Sequence, residues 1–169
     1  MSALVGFDTT FLALMFIPDA KCAVAQAKER VNFLVSDIHG RGDKIVVPTP
    51  ALSELLVKSG RARNAIIQEL SRSSRFVLAP FDVRAALELS LMTAAAFTRK
   101  DKRDGATGSW VKVNFDRQIV AVCKVEGVTR IYSEDQHLRS IATREGLTVL
   151  GVADIKLPGE GQGSLSLAP

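Results

Sequence analysis

The stretch Ala3-Leu-Val-Gly-Phe-Asp8 decides the fold. Five apolar residues run without alternation and stop at an acid. Such a run suits a strand buried on both faces of a parallel sheet, whereas a half-exposed strand would alternate apolar and polar residues. The same pattern returns at Lys44-Ile-Val-Val47, at Phe76-Val-Leu-Ala79, at Val128 to Tyr132 and at the short Leu147 to Leu150. Between these runs the apolar residues fall at helical spacing: Val24, Ala27, Val31, Leu34 and Val35 within 20–38, and Ala65, Ile66 and Leu70 within 61–73. Strands alternating with helices predict a three-layer α/β/α sandwich around a central, mainly parallel five-stranded sheet.

The punctuation agrees. Thr49-Pro50 opens a helix with Ala51, Leu52, Leu55 and Leu56 on its apolar face, Thr49 acting as the cap, and Gly60 closes it. Asp82 caps a long helix from Val83 to about Thr98. The polar string TRKDKRDGATGS, Thr98 to Ser109, reads as a loop. A helix beginning at or near Asn114 carries Ile119, Val120, Val122 and Cys123 on its apolar face, and a last one runs from Gln136 to Glu145. Residues 1–155 make one domain, and the Gly/Ser-rich residues 156–169 a flexible tail.

A chain of 169 residues, 47% apolar and 24% charged, suits one soluble globular domain. No run approaches the roughly 20 apolar residues that cross a bilayer. The apolar opening lacks a basic start and carries Asp8, which argues against a signal peptide. Cys22 and Cys123 are too few for a disulfide scaffold; both are expected as small buried hydrophobes on helices, in a reducing cytoplasm. Two histidines, His39 and His137, exclude a His-rich metal site. The net charge of +4 is uneven: Lys58 to Asp104 holds ten Lys/Arg against five Asp/Glu. A basic middle suggests a polyanionic partner; solvated helix faces are the plain alternative.

In parallel sheets ligands bind beyond the carboxyl ends of the strands. Asp8 directly follows the first strand, and Asp135 follows the fourth by three residues. Glu54 lies one turn into the helix after the second strand, and Asp116 is expected in the first turn of the helix leading to the fourth. Four carboxylates from four segments can therefore converge on one sheet edge. Clustered acids repel, and a hard divalent cation, Mg²⁺ or Mn²⁺, relieves that repulsion. Each acid also has an ordinary structural use: Asp8 and Asp135 as helix caps, Asp116 near a helix start, Glu54 on a solvated face. No Gly-rich loop bearing a lysine is present, so a P-loop nucleotide site is excluded.

Three strings resemble the PIN-domain family, particularly its VapC-type toxin ribonucleases. They are Val5-Gly-Phe-Asp8-Thr9-Thr10-Phe-Leu12, then Val47-Pro-Thr-Pro-Ala-Leu-Ser-Glu54-Leu-Leu, then Phe115-Asp116-Arg-Gln-Ile-Val-Ala-Val followed by Gly127-Val-Thr-Arg-Ile-Tyr-Ser133-Glu-Asp135. In family order they span about residues 3 to 150. The resemblance implies a Mg²⁺- or Mn²⁺-dependent endoribonuclease, the toxin of a type II toxin–antitoxin pair. Asp8, Glu54, Asp116 and Asp135 are then its catalytic acids, with Asp8, Asp116 and Asp135 on the metal, directly or through water, and Glu54 either ligating a metal or helping to position the attacking water. Thr9 or Thr10 is the hydroxyl beside the first acid, and Ser133, where the family more usually has Thr, orients the last. A 5′-phosphate product, a VapB-like antitoxin and a homodimer are also implied. A PIN-fold module that binds RNA or protein without turnover is the alternative. A haloacid-dehalogenase-like phosphatase would need a second Asp where Thr10 stands, and a two-component receiver an Asp where Pro80 follows the third strand.

Arg99, Lys100, Lys102 and Arg103 form the densest basic run and are the candidate RNA contacts, with a flexible solvated insertion as the alternative. Trp110, the single tryptophan, is expected as a core or interface anchor, with base stacking as the other use.

Overall fold

The structure is a computed structural model and describes residues 1–160. Five short strands, β1 (Leu4–Phe7), β2 (Lys44–Pro48), β3 (Phe76–Ala79), β4 (Arg130–Tyr132) and β5 (Thr148–Leu150), form one sheet in the order β3-β2-β1-β4-β5. Every pairing is parallel, with Val5 beside Ile45 on one side and Arg130 on the other. The helices are α1 (Thr9–Phe16), α2 (Ala27–Gly40), α3 (Thr49–Lys58), α4 (Arg63–Arg72), α5 (Val83–Thr98), α6 (Trp110–Val125) and α7 (Gln136–Arg144). Consecutive residues Ile45, Val46 and Val47 are all buried, so both sheet faces are covered and the three-layer α/β/α sandwich holds.

The chain reverses its strand order around β1, which lies between β2 and β4. The carboxyl end of the central strand is therefore the crevice where ligands settle in such sheets. Gly6 sets how closely the α6 layer approaches β1. A Cβ there would lie 2.8 Å from the Cys123 sulfur and 3.2 Å from Ile131. Only a glycine lets α6 sit this deep.

Several local expectations need correction. Ser109 accepts a hydrogen bond from the Lys112 amide and caps α6, so the helix begins four residues before Asn114. Asp116 consequently lies in the second helical turn, not the first. Residues 9–16 form a separate helix, and the expected 20–38 helix begins only at Ala27. Cys123 is buried on α6 as expected, but Cys22 is half-buried in an irregular segment. Thr49 is the first helical residue; its hydroxyl accepts from the Phe81 amide instead of capping α3. Of the expected tail, residues 156–160 are described, and Glu160 there pairs with Arg30 of α2. Residues 161–169 of that tail lie outside the described residues.

Candidate active site

Asp8 terminates β1 and caps α1. Its Oδ1 accepts from the Phe11 amide at 3.0 Å and from the Thr10 hydroxyl at 2.6 Å, and its Oδ2 accepts from the Ser133 hydroxyl at 2.5 Å. The Ser133 and Thr10 oxygens in turn accept from the amides of Asp135 and Glu134. One small network thus ties the end of β1 to the end of β4. Asp8 is only 2% exposed. Burial pushes its carboxyl up to about 6, against the pull of those donors and with the charge of Asp135 adding to the rise.

Asp135 caps α7 through Oδ1, which accepts from the His137 and Leu138 amides. Its Oδ2 lies 3.0 Å from Lys112 Nζ. Burial works to raise this carboxyl, but Lys112 and the two amides outweigh it and hold it below the usual range. The same lysine lies 2.5 Å from Asp116 Oδ1. Asp116 is 1% exposed, and its Oδ2 is buried without a hydrogen-bond partner. Burial pushes Asp116 up to about 6 despite Lys112, with the charges of Asp135 and Glu54 adding to the rise.

Glu54, half-buried on α3, accepts from the Thr9 hydroxyl at 3.0 Å and pairs with Lys58 at 2.8 Å. Burial alone would raise it; Lys58 and Thr9 bring it below the ordinary value. The two threonines therefore divide their work: Thr10 holds Asp8, and Thr9 holds Glu54.

All four acids lie at the carboxyl edge of the sheet. Whether they suit a metal is decided at Asp116. A buried carboxylate oxygen without a donor is rare and costly, and a hard cation satisfies it. Mg²⁺ typically takes one or two carboxylates and keeps several waters, which matches a pair such as Asp116 and Asp135 with Asp8 close by. Among the described residues, no three acidic, His or Cys side chains stand ready around one metal position. Lys112 bridges Asp116 and Asp135, two of the three acids expected on the metal, and leaves Asp8 out.

Sequence reasoning missed Lys112, Lys58 and Glu134. Lys58 had a legible signal, since it lies four residues after Glu54 on the expected helix, whereas Lys112 precedes the expected helix start at Asn114. Glu134 accepts from the Val152 amide and lines a cavity of about 570 Å³ together with Thr10, Leu14, Ile17, Lys21 and Lys58. Because Thr10 bonds Asp8 and Lys58 bonds Glu54, this cavity opens beside the acids.

The basic loop divides. Arg99 pairs with Asp104 at 2.8 Å, and the Lys102 ammonium lies over the Phe97 ring. Lys100 and Arg103 are exposed. Asp104 also takes Arg117 of α6 at 2.6 Å and Arg144 of α7 at 3.4 Å, so the insertion is fastened to the body of the domain. Trp110 is 37% exposed and stacks on Phe97 with ring centres 5.8 Å apart. It anchors the loop and is not a core residue. The loop's far end reaches the site: a Cβ on Gly108 would lie 3.7 Å from Lys112 and 3.8 Å from His137.

Neither a protein-family model nor a curated relative matches the sequence. Solved structures do match the fold. A chain of the Rickettsia felis VapBC2 complex, bound to a DNA fragment from its promoter, superposes with a TM-score of 0.57 at 12% identity, covering 88% of this chain and 98% of that one. A chain of the DNA-bound VapBC complex of Salmonella typhimurium gives 0.54 at 17%, covering 90% and 99%. Mycobacterium tuberculosis VapC20, described as a toxin that cleaves the sarcin–ricin loop, gives 0.51 at 16%, covering 80% and 93%. At 12–17% identity this likeness is one of fold: the chain has the PIN-like, VapC-type architecture of these structures.

Proposed function

We propose that this protein is a divalent-metal-dependent endoribonuclease, the toxin of a type II toxin–antitoxin pair, acting in the cytoplasm. The observation that carries the reading is the buried, unpartnered Oδ2 of Asp116 within a cluster of four carboxylates at the sheet edge. Asp8, Asp116 and Asp135 would hold Mg²⁺ or Mn²⁺. A bound ion of this kind supplies a more acidic water and neutralises phosphate charge. Glu54, fixed by Thr9 and Lys58, orients the water for attack on phosphorus, leaving a 5′-phosphate. Ser133 and Thr10 hold the Asp8 carboxylate in one orientation. Lys21 and Lys58 on the neighbouring cavity face the charge of an RNA backbone.

A VapB-like antitoxin as partner draws support from the fold's likeness to VapBC complexes. A homodimer draws support from α5, where Val83, Leu87 and Leu91 lie at four-residue spacing and are exposed. No helix of the described residues is long and apolar enough to cross a membrane.

One observation favours the rival reading of a binding module without turnover: Lys112 already neutralises part of the acidic cluster. The deciding experiment is cleavage of end-labelled RNA by purified protein with Mg²⁺ or Mn²⁺. The nuclease reading expects turnover that a chelator stops and that D8N and D116N lack. RNA binding with no cleavage under any metal would establish the rival.

A further inference from the structure

We infer that Lys112 is an internal counter-cation, which holds Asp116 and Asp135 together until a divalent ion displaces it. The inference rests on the metal-centre reading above and adds a resident competitor to it. The ammonium lies 2.5 Å from Asp116 Oδ1 and 3.0 Å from Asp135 Oδ2, so one positive charge bridges two carboxylates from different elements, α6 and the start of α7. Both are charge-assisted hydrogen bonds, stronger than neutral ones.

The lysine can also leave. Its side chain is 41% exposed while that of Asp116 is 1% exposed, so the ammonium approaches a buried acid from the solvent side. A lysine stem has four rotatable carbons and can swing the charge outward without moving the helix. Nothing of the kind holds for Arg117 on the same helix, which is fully buried and locked to Asp104.

The bridge leaves Asp116 Oδ2 unsatisfied. A single ammonium thus meets only part of what the two acids offer, and a divalent ion meets more. Metal binding here is an exchange: two ammonium contacts break and the metal contacts replace them. Removing the ammonium should then strengthen metal binding, both by deleting the competitor and by leaving the acids with unrelieved repulsion.

The test is calorimetric titration of Mn²⁺ into metal-free wild-type protein, K112M and K112R, with chelator-treated melting curves for each. The expected result is a Kd for K112M at least about tenfold lower than wild type. K112R keeps the charge and should stay within about threefold of wild type. K112M without metal should melt lower than wild type, and Mn²⁺ should raise its melting temperature by more. The double variant K112M/D116N should lose the gained affinity, which ties the effect to this pair. An unchanged or raised Kd in K112M, with wild type binding Mn²⁺, overturns the inference and leaves the metal centre standing. Absence of Mn²⁺ binding in all of the proteins overturns the metal centre and this inference together.

Discussion

Two ionic clusters meet α6, one at Asp116 and one at Arg117, and they are built in opposite ways. At the sheet edge, four carboxylates, Asp8, Glu54, Asp116 and Asp135, share two ammonium groups, Lys58 and Lys112. Beneath the basic loop, Asp101 and Asp104 share three guanidinium groups, Arg99, Arg117 and Arg144. The first cluster is short of positive charge and leaves a buried acid oxygen without a partner. The second has more cations than acids. Its one buried nitrogen without a hydrogen bond, Arg117 Nη1, belongs to a guanidinium lying 5.5 Å from the Trp110 ring, where cation–π attraction compensates. A fastening can be fully paired, whereas a site that must take up a cation has to keep a deficit.

Substitutions should separate the two clusters. The largest contrast is D116N against D104A. D116N should reduce cleavage by more than the roughly 10–100-fold that a supporting partner of a metal is worth, with the fold intact. D104A should instead cost about 3–5 kcal/mol of stability, since it strands Arg117 as a buried unpaired charge. Cleavage rate and denaturant midpoint, measured on both proteins, check the pair; a stability loss in D116N as large as that in D104A would erase the distinction.

The next contrast is in pH. Asp8 and Asp116 are both pushed up to about 6 from 3.8, burial being the leading cause. A carboxyl raised on folding binds its proton more tightly in the folded chain, so stability falls as pH rises from about 4 through 6. For metal-free protein each group contributes at most about 3 kcal/mol to that fall. Asp135 and Glu54 are shifted downward, so their contribution appears only in more acid solution. Chemical denaturation at several pH values should show the slope in wild type and a shallower one in D8N.

Much of this site was legible because acids at the carboxyl ends of strands can be found from the strands alone. The apolar runs marked β1 through β5, and Asp8, Glu54 and Asp135 followed from them. The α1 helix was not legible. Thr9 to Phe16 is apolar on nearly all sides, with Phe11, Leu12 and Leu14 buried, so it shows no helical period. The early start of α6 turned on Ser109, a cap inside a string otherwise read as loop. That single turn brings Lys112 under Asp116, which is why the bridging lysine escaped notice. The character of the loop was also hidden, because the partners of Asp104 come from positions 99, 117 and 144.

Smaller effects refine the contrast. W110A removes a stacked ring pair, which is worth about 0.5–1.5 kcal/mol beyond burial. The melting temperature should drop modestly; loss of RNA affinity at unchanged melting would assign the ring to a base instead. The smallest effect is expected from K100Q with R103Q, the two members of the basic run outside the ion pairs and ring contacts. If they touch phosphate, the salt dependence of RNA binding should flatten by about 0.7 per contact. An unchanged slope makes the run a solvated surface.

The close contact between Gly6 and Cys123 has a consequence for descent. A Cβ at position 6 would come within 2.8 Å of the sulfur, so the two positions share one fixed volume. Homologues of this chain should therefore vary them as a pair: alanine at 6 accompanied by glycine or alanine at 123. Asp116 lies two helical turns before Cys123 on the same helix, so a lineage that broke this pairing would lift the acid away from Asp8 as well.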